Sequence, residues 1–553
     1  MYEINNISYQ YSEDSKKVID DISFKIKEKT VTAIVGPSGC GKSTLVSILS
    51  GVIPKLISTG KLSGKLNIDE DVDISVVSQN PESQLFGYGV EDAIAFGIEN
   101  MGLDSKEISE RVEYVLDLLN IEHLRKRSVA DLSGGQRQAV CIASVLAMKP
   151  GIVIMDEPVS SLDPNGKKMV QSVLNQLRST GQTTIIVDNN LDWFSDIVDH
   201  VIGIIDGKVV FDGSRDEFFM NFDLQDKLGV NLPQEVEIYS KLSKEFKDVK
   251  LFYKLEDAKN EISKLIQSDN KKRRLKEVKD NEDSAVIKVK NLTKEFSGGF
   301  KALDNVNVSF EKGRIISILG QNGSGKTTLV KHLNGLHRPT SGEVLYEGQS
   351  TKNKSVAEIS KDVILVFQHP EHMLFEETVI DELTFCARAQ KVDFSKEDAE
   401  SILKEYDLFD KKDEMPLNLS MGEKHTLTIL SVLLSSAQVV MLDEPTLGMD
   451  YLLRKKLINI IEKLKEAGKT VIIISHEIPL VFEITDDILI LNNSKKLFEG
   501  TKEEAVYEEQ LFNDINIEIP PVVQLSKYFD LPEIAYDADS FVDQIKKLNE
   551  LVG

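Results

Sequence analysis

Short apolar runs alternate along the chain with longer amphipathic stretches. Residues 31–35 and 471–474 are uninterrupted apolar or β-branched runs of strand length, and residues 110–119 repeat apolar side chains at the spacing of a helix. Such alternation is typical of parallel strands that are covered by helices on both faces. The pattern therefore predicts an α/β core of parallel strands together with a helical insertion.

The same pattern occurs twice along the chain. Asp156 and Asp443 each lie before Glu-Pro at the end of an apolar run, and Ser133 and Ser420 each follow a leucine; both pairs are 287 positions apart (443 − 156 and 420 − 133). Self-similarity at one fixed offset indicates two homologous units. We expect a first domain at residues 1–265, a charged linker at 266–285 and a second domain at 286–553.

Composition narrows the functional classes. The 553 residues are 41% hydrophobic and 28% charged, as in soluble globular proteins. The formal net charge of −24 opposes binding to nucleic acid, which depends on neutralising phosphates with Lys and Arg. No apolar run approaches the roughly 20 residues of a membrane-spanning helix, so we expect any membrane role to be peripheral. The three cysteines, Cys40, Cys141 and Cys386, show no disulfide or zinc pattern and favour a reducing compartment.

Two glycine-rich segments match the pattern G-x-x-x-x-G-K-[ST], and each lies between a predicted strand and a helical pattern. Glycines let the backbone wrap a polyphosphate, so that N–H groups and the helix N-terminus face its charge. We expect the lysines to reach the β- and γ-phosphates of ATP and the hydroxyls after them to ligate Mg²⁺. The residues are Gly36, Gly39, Gly41, Lys42 and Ser43, followed by Thr44, and Gly320, Gly323, Gly325, Lys326 and Thr327, followed by Thr328.

Acidic pairs follow one apolar strand in each half. Asp156 and Asp443 are placed to hold the Mg²⁺ shell, and the adjacent Glu157 and Glu444 are placed to polarise the attacking water. These pairs recur in register with the glycine loops, which makes an accidental Asp-Glu loop improbable. The sequence thus predicts two sites for MgATP.

The segment Leu132-Ser133-Gly134-Gly135-Gln136 resembles the signature motif of ABC ATPases. The resemblance covers nearly the whole chain and implies tandem P-loop NTPase domains, each an α/β core with a helical subdomain and a short C-terminal extension. It also implies several roles: Gln79 and Gln368 as Q-loop glutamines, Asp163 and Asp450 in the D-loops, His476 as the switch histidine, and Tyr11 and Phe296 as adenine-stacking rings.

In this family two such units pair head to tail, and each ATP is bound by one unit's glycine loop and the other unit's signature. The halves of this chain differ at both elements. Asn189 replaces the switch histidine in the first half, whereas the second signature keeps Ser420 and Gly422 but reads Met421 and Glu423. Intramolecular pairing would place both departures in one site, which we expect to hydrolyse ATP slowly; neutral drift is the alternative.

Residues 79–86 and 368–375 follow the pattern of the ATPases of energy-coupling-factor importers. That resemblance implies a membrane importer of a vitamin or a transition-metal ion, located at the cytoplasmic side of the cell membrane. It implies two partners, a transmembrane scaffold (coupling) protein and a membrane substrate-capture subunit, and no nucleic acid.

Three other classes remain to be weighed. A fused sugar-importer ATPase is disfavoured by the proline-glutamate run after the Q-loop glutamine. Twin ABC proteins that act on ribosomes typically have a longer basic inter-domain helix, and some have an iron–sulfur cysteine cluster. DNA-repair ATPases would need heptads sustained over many turns. The sequence has neither a longer basic inter-domain helix nor an iron–sulfur cysteine cluster, and it has no sustained heptads.

Overall fold

The computed structural model describes residues 2–12, 16–67, 72–78, 83–160, 162, 164–266, 285–296, 298–447 and 449–550. Gln79, Asp163 and almost all of the predicted linker lie outside these ranges. Contacts divide the chain into two compact units, Met1–Glu261 and Ile262–Gly553. The boundary falls inside one helix, Leu255–Ser263, and the predicted domain limits stay a prediction.

The first unit is built on a six-stranded sheet in the order β5-β6-β7-β3-β8-β9. The first five of these strands pair in parallel and only β9 is antiparallel. A second, three-stranded antiparallel sheet has the order β2-β1-β4. The strands are β1 (Tyr2–Gln10), β2 (Ile19–Ile26), β3 (Val31–Val35), β4 (Lys61–Asn67), β5 (Ile74–Val77), β6 (Ile152–Asp156), β7 (Thr183–Val187), β8 (His200–Ile205) and β9 (Lys208–Ser214).

Helices lie between and after these strands. They are α1 (Lys42–Leu49), α2 (Val52–Lys55), α3 (Val90–Asn100), α4 (Ser105–Leu118), α5 (Gly134–Ala147), α6 (Pro164–Thr180), α7 (Arg215–Phe219), α8 (Phe222–Leu228), α9 (Gln234–Glu245) and α10 (Leu255–Ser263). The three helices α3 to α5 lie between β5 and β6 and form the predicted helical insertion. The helices α7 to α10 form the C-terminal extension.

The second unit repeats this plan. Its six-stranded sheet has the order β15-β16-β17-β12-β18-β19, and a four-stranded sheet has the order β11-β10-β13-β14. The strands are β10 (Ala285–Glu295), β11 (Lys301–Glu311), β12 (Ile315–Leu319), β13 (Ser341–Tyr346), β14 (Gln349–Ser350), β15 (Val363–Val366), β16 (Val439–Asp443), β17 (Thr470–Ile474), β18 (Asp487–Asn492) and β19 (Lys495–Thr501).

The helices of the second unit follow the order of the first, with α17 as an additional helix between β17 and β18. They are α11 (Lys326–Leu333), α12 (Val356–Ile359), α13 (Val379–Gln390), α14 (Lys396–Glu405), α15 (Met421–Leu433), α16 (Tyr451–Glu466), α17 (Ile478–Ile484), α18 (Lys502–Tyr507), α19 (Glu509–Asp514), α20 (Pro521–Tyr528) and α21 (Ala538–Glu550). Within the ranges that the structure describes, no helix combines the length and the apolar character needed to cross a membrane.

The central strands explain why the apolar runs are uninterrupted. Every residue of β3, β7, β12 and β17 is buried, because each of these strands has a neighbour on both edges and a layer on both faces. The strands predicted at 31–35 and 471–474 are thereby confirmed. The helix predicted across 110–119 is confirmed as well, since α4 covers all of this range except Leu119. The parallel arrangement brings the carboxyl ends of β3, β6 and β7 to one edge of the sheet.

Helix α5 packs closely on α6 through a glycine. A Cβ atom on Gly135 would lie 2.5 Å from the Cα atom of Gly166, whereas one on Gly134 would meet only the Leu162 side chain, at 3.1 Å. Backbone cannot move aside as a leucine methyl group can. In the second half, Gly422 is the counterpart of Gly135, and Met421 is the counterpart of Gly134.

We predict that Gly135→Ala lowers the thermal unfolding midpoint of the protein by several degrees, because overpacking of this kind costs about 1–3 kcal/mol. Gly134→Ala is the matched control and should shift the midpoint by less than Gly135→Ala. Differential scanning calorimetry without nucleotide measures both variants. Equal shifts for the two variants would contradict the proposed role of the contact with Gly166.

Candidate functional site

The two glycine loops leave β3 and β12 with the same backbone geometry. A Cβ atom on Gly36 would lie 2.1 Å from the carbonyl oxygen of Ile204, and one on Gly320 would lie 2.2 Å from that of Leu491. At the other end of each loop, Gly41 and Gly325 have a φ of 105° and directly precede α1 and α11. Only glycine can lack the Cβ atom at the start of the loop and adopt the positive φ at its end without strain.

The loop lysines point into the loops that they follow. The Nζ atom of Lys42 donates to the carbonyl oxygens of Gly36 and Pro37, and that of Lys326 donates to Gly320 and Gln321 at 2.7 and 3.0 Å. Both lysines are buried, with 9% and 7% of their surface exposed. A buried ammonium group surrounded by a loop of backbone is suited to bind an anion, since phosphate oxygens can replace the carbonyls as its partners.

The acidic pairs lie beside these loops, as the strand order requires. Asp156 ends β6 and Asp443 ends β16. The next residues, Glu157 and Glu444, have left-handed φ values of 43° and 49°. Their N–H groups bond to the carbonyls at the ends of β7 and β17, at 2.9 and 2.8 Å. Two non-glycine residues held in this uncommon conformation at one position of a repeat indicate a functional constraint on that position.

Burial changes the acidity of these carboxyl groups. It raises the pKa of Glu157 to about 7, and the neighbouring charges of Asp188 and Asp156 raise it further against the effect of Lys42. Burial raises the pKa of Glu444 to about 8, although the His476 N–H group opposes the shift. Carboxyl groups with a pKa near neutral pH are suited to exchange a proton with water. A raised glutamate pKa is therefore common to both halves and does not distinguish them.

Each half has a hydroxyl and a carboxylate that would hold Mg²⁺. Thr327 and Asp443 occupy these positions in the second half, and Ser43 and Asp156 occupy them in the first. Burial raises the pKa of Asp443, against the opposing effects of the Thr327 hydroxyl and the charge of Lys326. One hydroxyl and one carboxylate fit Mg²⁺, which normally takes its other ligands from phosphates and water.

The position of the switch histidine differs between the halves in its contacts as well as in residue type. The Nε2 atom of His476 lies 3.3 Å from Oε1 of Glu444, and its backbone N–H donates to Oε2 of the same carboxylate at 3.1 Å. In the first half, Oδ1 of Asn189 instead accepts the N–H of Gly36 at 2.9 Å. His476 is therefore placed to act with Glu444, whereas Asn189 is engaged with the glycine loop.

The signature serines begin the helices α5 and α15. Ser133 and Ser420 are the N-cap residues, and each forms a reciprocal capping box with the residue three positions later, Gln136 or Glu423. The sequence predicts that Glu423 brings a carboxylate towards bound ATP. In the structure this carboxylate is held by the N–H and hydroxyl groups of Ser420 and by the Nζ atom of Lys411.

Side chains predicted to stack on adenine lie at the start of each unit. Tyr11 is 47% exposed, and its hydroxyl lies 3.0 Å from that of Thr44 at the start of α1. Phe296 is 38% exposed and meets His337 edge to face, with 5.8 Å between the ring centroids. Both rings thus have surface available for a nucleotide base.

The remaining predicted residues are located by the elements to which they belong. Gln368 follows β15 and is half-buried, and Asp450 is the N-cap of α16. Gln79 and Asp163 lie outside the described residues. Thr328 is in the first turn of α11, and its carbonyl oxygen contacts Nδ1 of His332 at 2.7 Å. The roles assigned to the site residues stay predictions.

Sequence reasoning missed two charged groups of the site. Asp188 is buried and its Oδ2 atom accepts the indole N–H of Trp193 at 3.0 Å; Ser475 occupies its place in the second half. The second group is Lys411, whose counterpart at the offset of 287 is Leu124 (411 − 124). Aligning the two halves position by position would have found both, because a charge appears in only one of them.

We predict that Glu444→Gln stabilises the nucleotide-free protein at pH 8.5 but not at pH 5. A carboxyl group whose pKa rises from about 4.5 in the unfolded chain to about 8 in the folded one costs stability progressively as the pH rises between these values. The variant's unfolding midpoint should exceed that of the wild type by a few degrees at pH 8.5. Glu157→Gln is the control and should show a smaller gain; a gain independent of pH would contradict the assignment.

Comparisons with known proteins agree with this geometry. The family model described as ABC transporter matches residues 19–160 and 303–447. A protein of Caldanaerobacter subterraneus subsp. tengcongensis, provisionally named an ABC transporter ATP-binding protein, is 34% identical over 544 residues, which are 95% of each chain. A Bacillus subtilis (strain 168) protein, provisionally named an HMP/thiamine import ATP-binding protein, is 31% identical over 525 residues, which are 92% of each chain.

Solved structures show the same tandem fold. The chain is similar to a structure titled RNase-L Inhibitor, with a TM-score of 0.60 and 20% identity over 92% of this chain and 93% of that one. It is also similar to the archaeal ribosome recycling factor in complex with a ribosomal stalk protein, with a TM-score of 0.59 and 21% identity over 91% and 92%. Identity at this level shows the fold alone. The matched family and the two relatives together show that this chain belongs to the ABC transporter family, as an ATP-hydrolysing protein with two fused ABC ATPase domains.

Proposed function

We propose that the chain is the ATP-hydrolysing subunit of an importer of the energy-coupling-factor type, which takes up a small solute such as a vitamin or a transition-metal ion. The provisional name of the Bacillus subtilis relative, an HMP/thiamine import protein, supports this class. In this proposal a transmembrane scaffold protein and a substrate-capture subunit hold the chain at the cytoplasmic side of the membrane.

The observation that carries the proposal is a pair of exposed aromatic clusters just after the Q-loop positions. Phe86 and Phe96 stack at 5.0 Å and are 53% and 44% exposed, and the nearby Tyr88 is 93% exposed. In the second half, Phe375 meets Phe385 at 4.4 Å and is 62% exposed. Exposed aromatic side chains grouped in this way favour a protein partner.

The segment between each Q-loop position and its aromatic cluster contacts the signature helix. In the first half, Oε1 of Gln84 accepts the N–H of Ser78 at 2.8 Å and faces Sγ of Cys141 on α5 at 3.2 Å. In the second half, Lys424 on α15 lies 3.6 Å from Glu371, three residues after Gln368. A partner that moves this segment would therefore also act on the signature helix.

For ATP itself, we propose that the glycine loops, Lys42 and Lys326 bind the phosphates, and that Tyr11 and Phe296 stack on the base. Mg²⁺, when bound, would offset the charge of the phosphates, with Ser43 and Asp156 or Thr327 and Asp443 beside it. Glu444 would accept the proton of the attacking water, with His476 orienting its carboxylate.

A ribosome-directed ATPase is the second candidate. The likeness to the ribosome recycling factor rests on a fold shared at 21% identity, and that fold carries many functions. The net charge of −24 opposes contact with ribosomal RNA. No observation on this chain favours that candidate.

Purification of the tagged chain from membranes, with identification of co-purifying proteins, distinguishes the importer from the ribosome-directed ATPase. Integral membrane proteins support the importer, and ribosomal proteins overturn it.

We predict that Phe375→Ala lowers the ATPase activity stimulated by the membrane partners at least about threefold, because it removes an aromatic anchor from the partner surface. The activity of the isolated chain should not change, since Phe375 touches no phosphate-binding group. Tyr528→Ala, which removes another exposed aromatic side chain (58% exposed) from the C-terminal extension, is the matched control. Unchanged stimulation in Phe375→Ala would count against this surface.

We also predict that Glu444→Gln nearly abolishes steady-state ATP hydrolysis, while Glu157→Gln leaves most of it. An N–H group of the His476 ring can donate a hydrogen bond towards developing charge and the ring can become cationic, whereas Asn189 offers only a neutral amide, whose Oδ1 atom accepts the N–H of Gly36. Losing one preorganised donor typically costs about a hundredfold in rate. The measurement is phosphate release by the chain with its membrane partners, and equal losses in the two variants would show that the two sites are equivalent.

A further inference from the structure

We infer that His337 and Lys294 are positioning residues for nucleotide binding in the second half: they hold the Phe296 ring in place, so that its exposed surface is ready to stack on the base. This inference rests on the proposed function, in which Phe296 meets the base of ATP. All the contacts involved lie within the second unit.

Two side chains contact the Phe296 ring. His337 meets it edge to face, with 5.8 Å between the ring centroids and 79° between the ring planes. The Nζ atom of Lys294 lies over the ring, 5.1 Å from its centroid. Edge-to-face aromatic pairs and cations above an aromatic face are both favourable contacts. They restrict the orientation of the ring while leaving 38% of Phe296 exposed.

Both supporting side chains are fixed by contacts of their own residues. The N–H of His337 donates to the carbonyl oxygen of Lys331 on α11 at 2.8 Å, and Nζ of Lys294 donates to the carbonyl oxygen of Arg338 at 3.0 Å. The Arg338 guanidinium in turn donates to three backbone carbonyls within residues 351–354. The segment after α11 is therefore held in place, and His337 is held with it.

His337 also connects the Phe296 ring to the helix that follows the glycine loop. Its ring centroid lies 5.6 Å from that of His332, which is buried on α11. The Nδ1 atom of His332 contacts the carbonyl oxygen of Thr328 in the first turn of this helix at 2.7 Å. Burial and the charges of Lys331 and Lys294 lower the pKa of His337. A neutral imidazole can pack beside these lysines without electrostatic repulsion.

The first half holds its ring through different groups at corresponding positions. Tyr9 and Lys294 correspond, since each lies two residues before the stacking ring on a strand of the antiparallel sheet. Tyr9 meets the Tyr11 ring edge to face, with 5.0 Å between the centroids. The Tyr11 hydroxyl lies 3.0 Å from that of Thr44, which, like Thr328, is the second residue after the loop lysine. Each ring is thus fixed relative to the same turn of the glycine-loop helix.

A ring that is held before the nucleotide arrives loses less conformational freedom on binding, and this raises the affinity for the base. The phosphates are assigned to other groups, the glycine loop and Lys326. Removing a support of Phe296 should therefore weaken binding of a nucleotide but not of a phosphate chain that has no base.

The test measures nucleotide binding to each half of the full chain separately. A photoreactive 8-azido-ATP with a label on its α-phosphate is bound in the cold, and cleavage at a protease site introduced into residues 266–285 then separates the halves. His337→Ala should raise the half-saturating concentration for labelling of the second half about three- to tenfold, as expected for the loss of one aromatic contact. Labelling of the first half should not change.

Two further variants and a competitor separate a supporting role from general damage. Lys294→Met, which keeps an apolar stem but removes the charge, should raise the same concentration about two- to fivefold. His337→Phe, which keeps an aromatic edge, should restore the wild-type value. In His337→Ala, more ATP should be needed to protect the second half from labelling, whereas the protecting concentration of inorganic tripolyphosphate should not change.

The matched control is Phe300→Ala, which should change nothing. Phe300 is 60% exposed, and its backbone oxygen, not its side chain, accepts the N–H of Phe296. The inference is overturned by unchanged labelling in His337→Ala or Lys294→Met, by a His337→Phe variant that fails to restore binding, or by an equal loss for ATP and tripolyphosphate. Phe296→Ala distinguishes the two levels of failure: if it also leaves labelling of the second half unchanged, the proposed stacking role of Phe296 is overturned as well.

Discussion

The parallel strands of each large sheet must place their carboxyl ends at one edge, and the site of each half depends on this placement. β3 leads into a glycine loop, β6 ends at Asp156, and β7 ends one residue before Asp188, so that backbone N–H groups, a lysine and carboxylates converge there. The backbone must approach its neighbour so closely that Gly36 admits no Cβ atom. This approach fixes where the glycine loop leaves the sheet and so where its N–H groups lie.

The two halves keep this frame and differ in the groups placed on it. Lys42 and Lys326 form the same contacts within their loops, and both glutamates have a raised pKa. The differences lie at the switch position and at the start of the signature helix, where substitutions change which hydrogen bonds are left for the nucleotide. These differences are expected of a chain in which both halves bind ATP and one of them hydrolyses it. They leave the fold of the two halves the same.

Motifs and their offset of 287 residues were enough to predict the fold and to propose the residues of the site, because each motif has a strict strand–loop–helix context. The contacts of individual side chains were not predictable. That Asn189 bonds to Gly36, or that Glu423 turns to Lys411, depends on rotamers and on partners distant from the motif. Tyr88 shows the same limit, because its exposure of 93% is known only from packing.

The central claim is that both halves bind ATP and only the second hydrolyses it at a significant rate. Vanadate traps the ADP formed by turnover, and a photoreactive 8-azido-ATP with a label on its α-phosphate marks the half that holds it. Cutting the labelled chain at a protease site introduced into residues 266–285 separates the two halves. Both halves should carry the label after binding in the cold without turnover. After trapping, the label should lie on the half with Phe296. Equal labelling of the two halves after trapping would contradict the account.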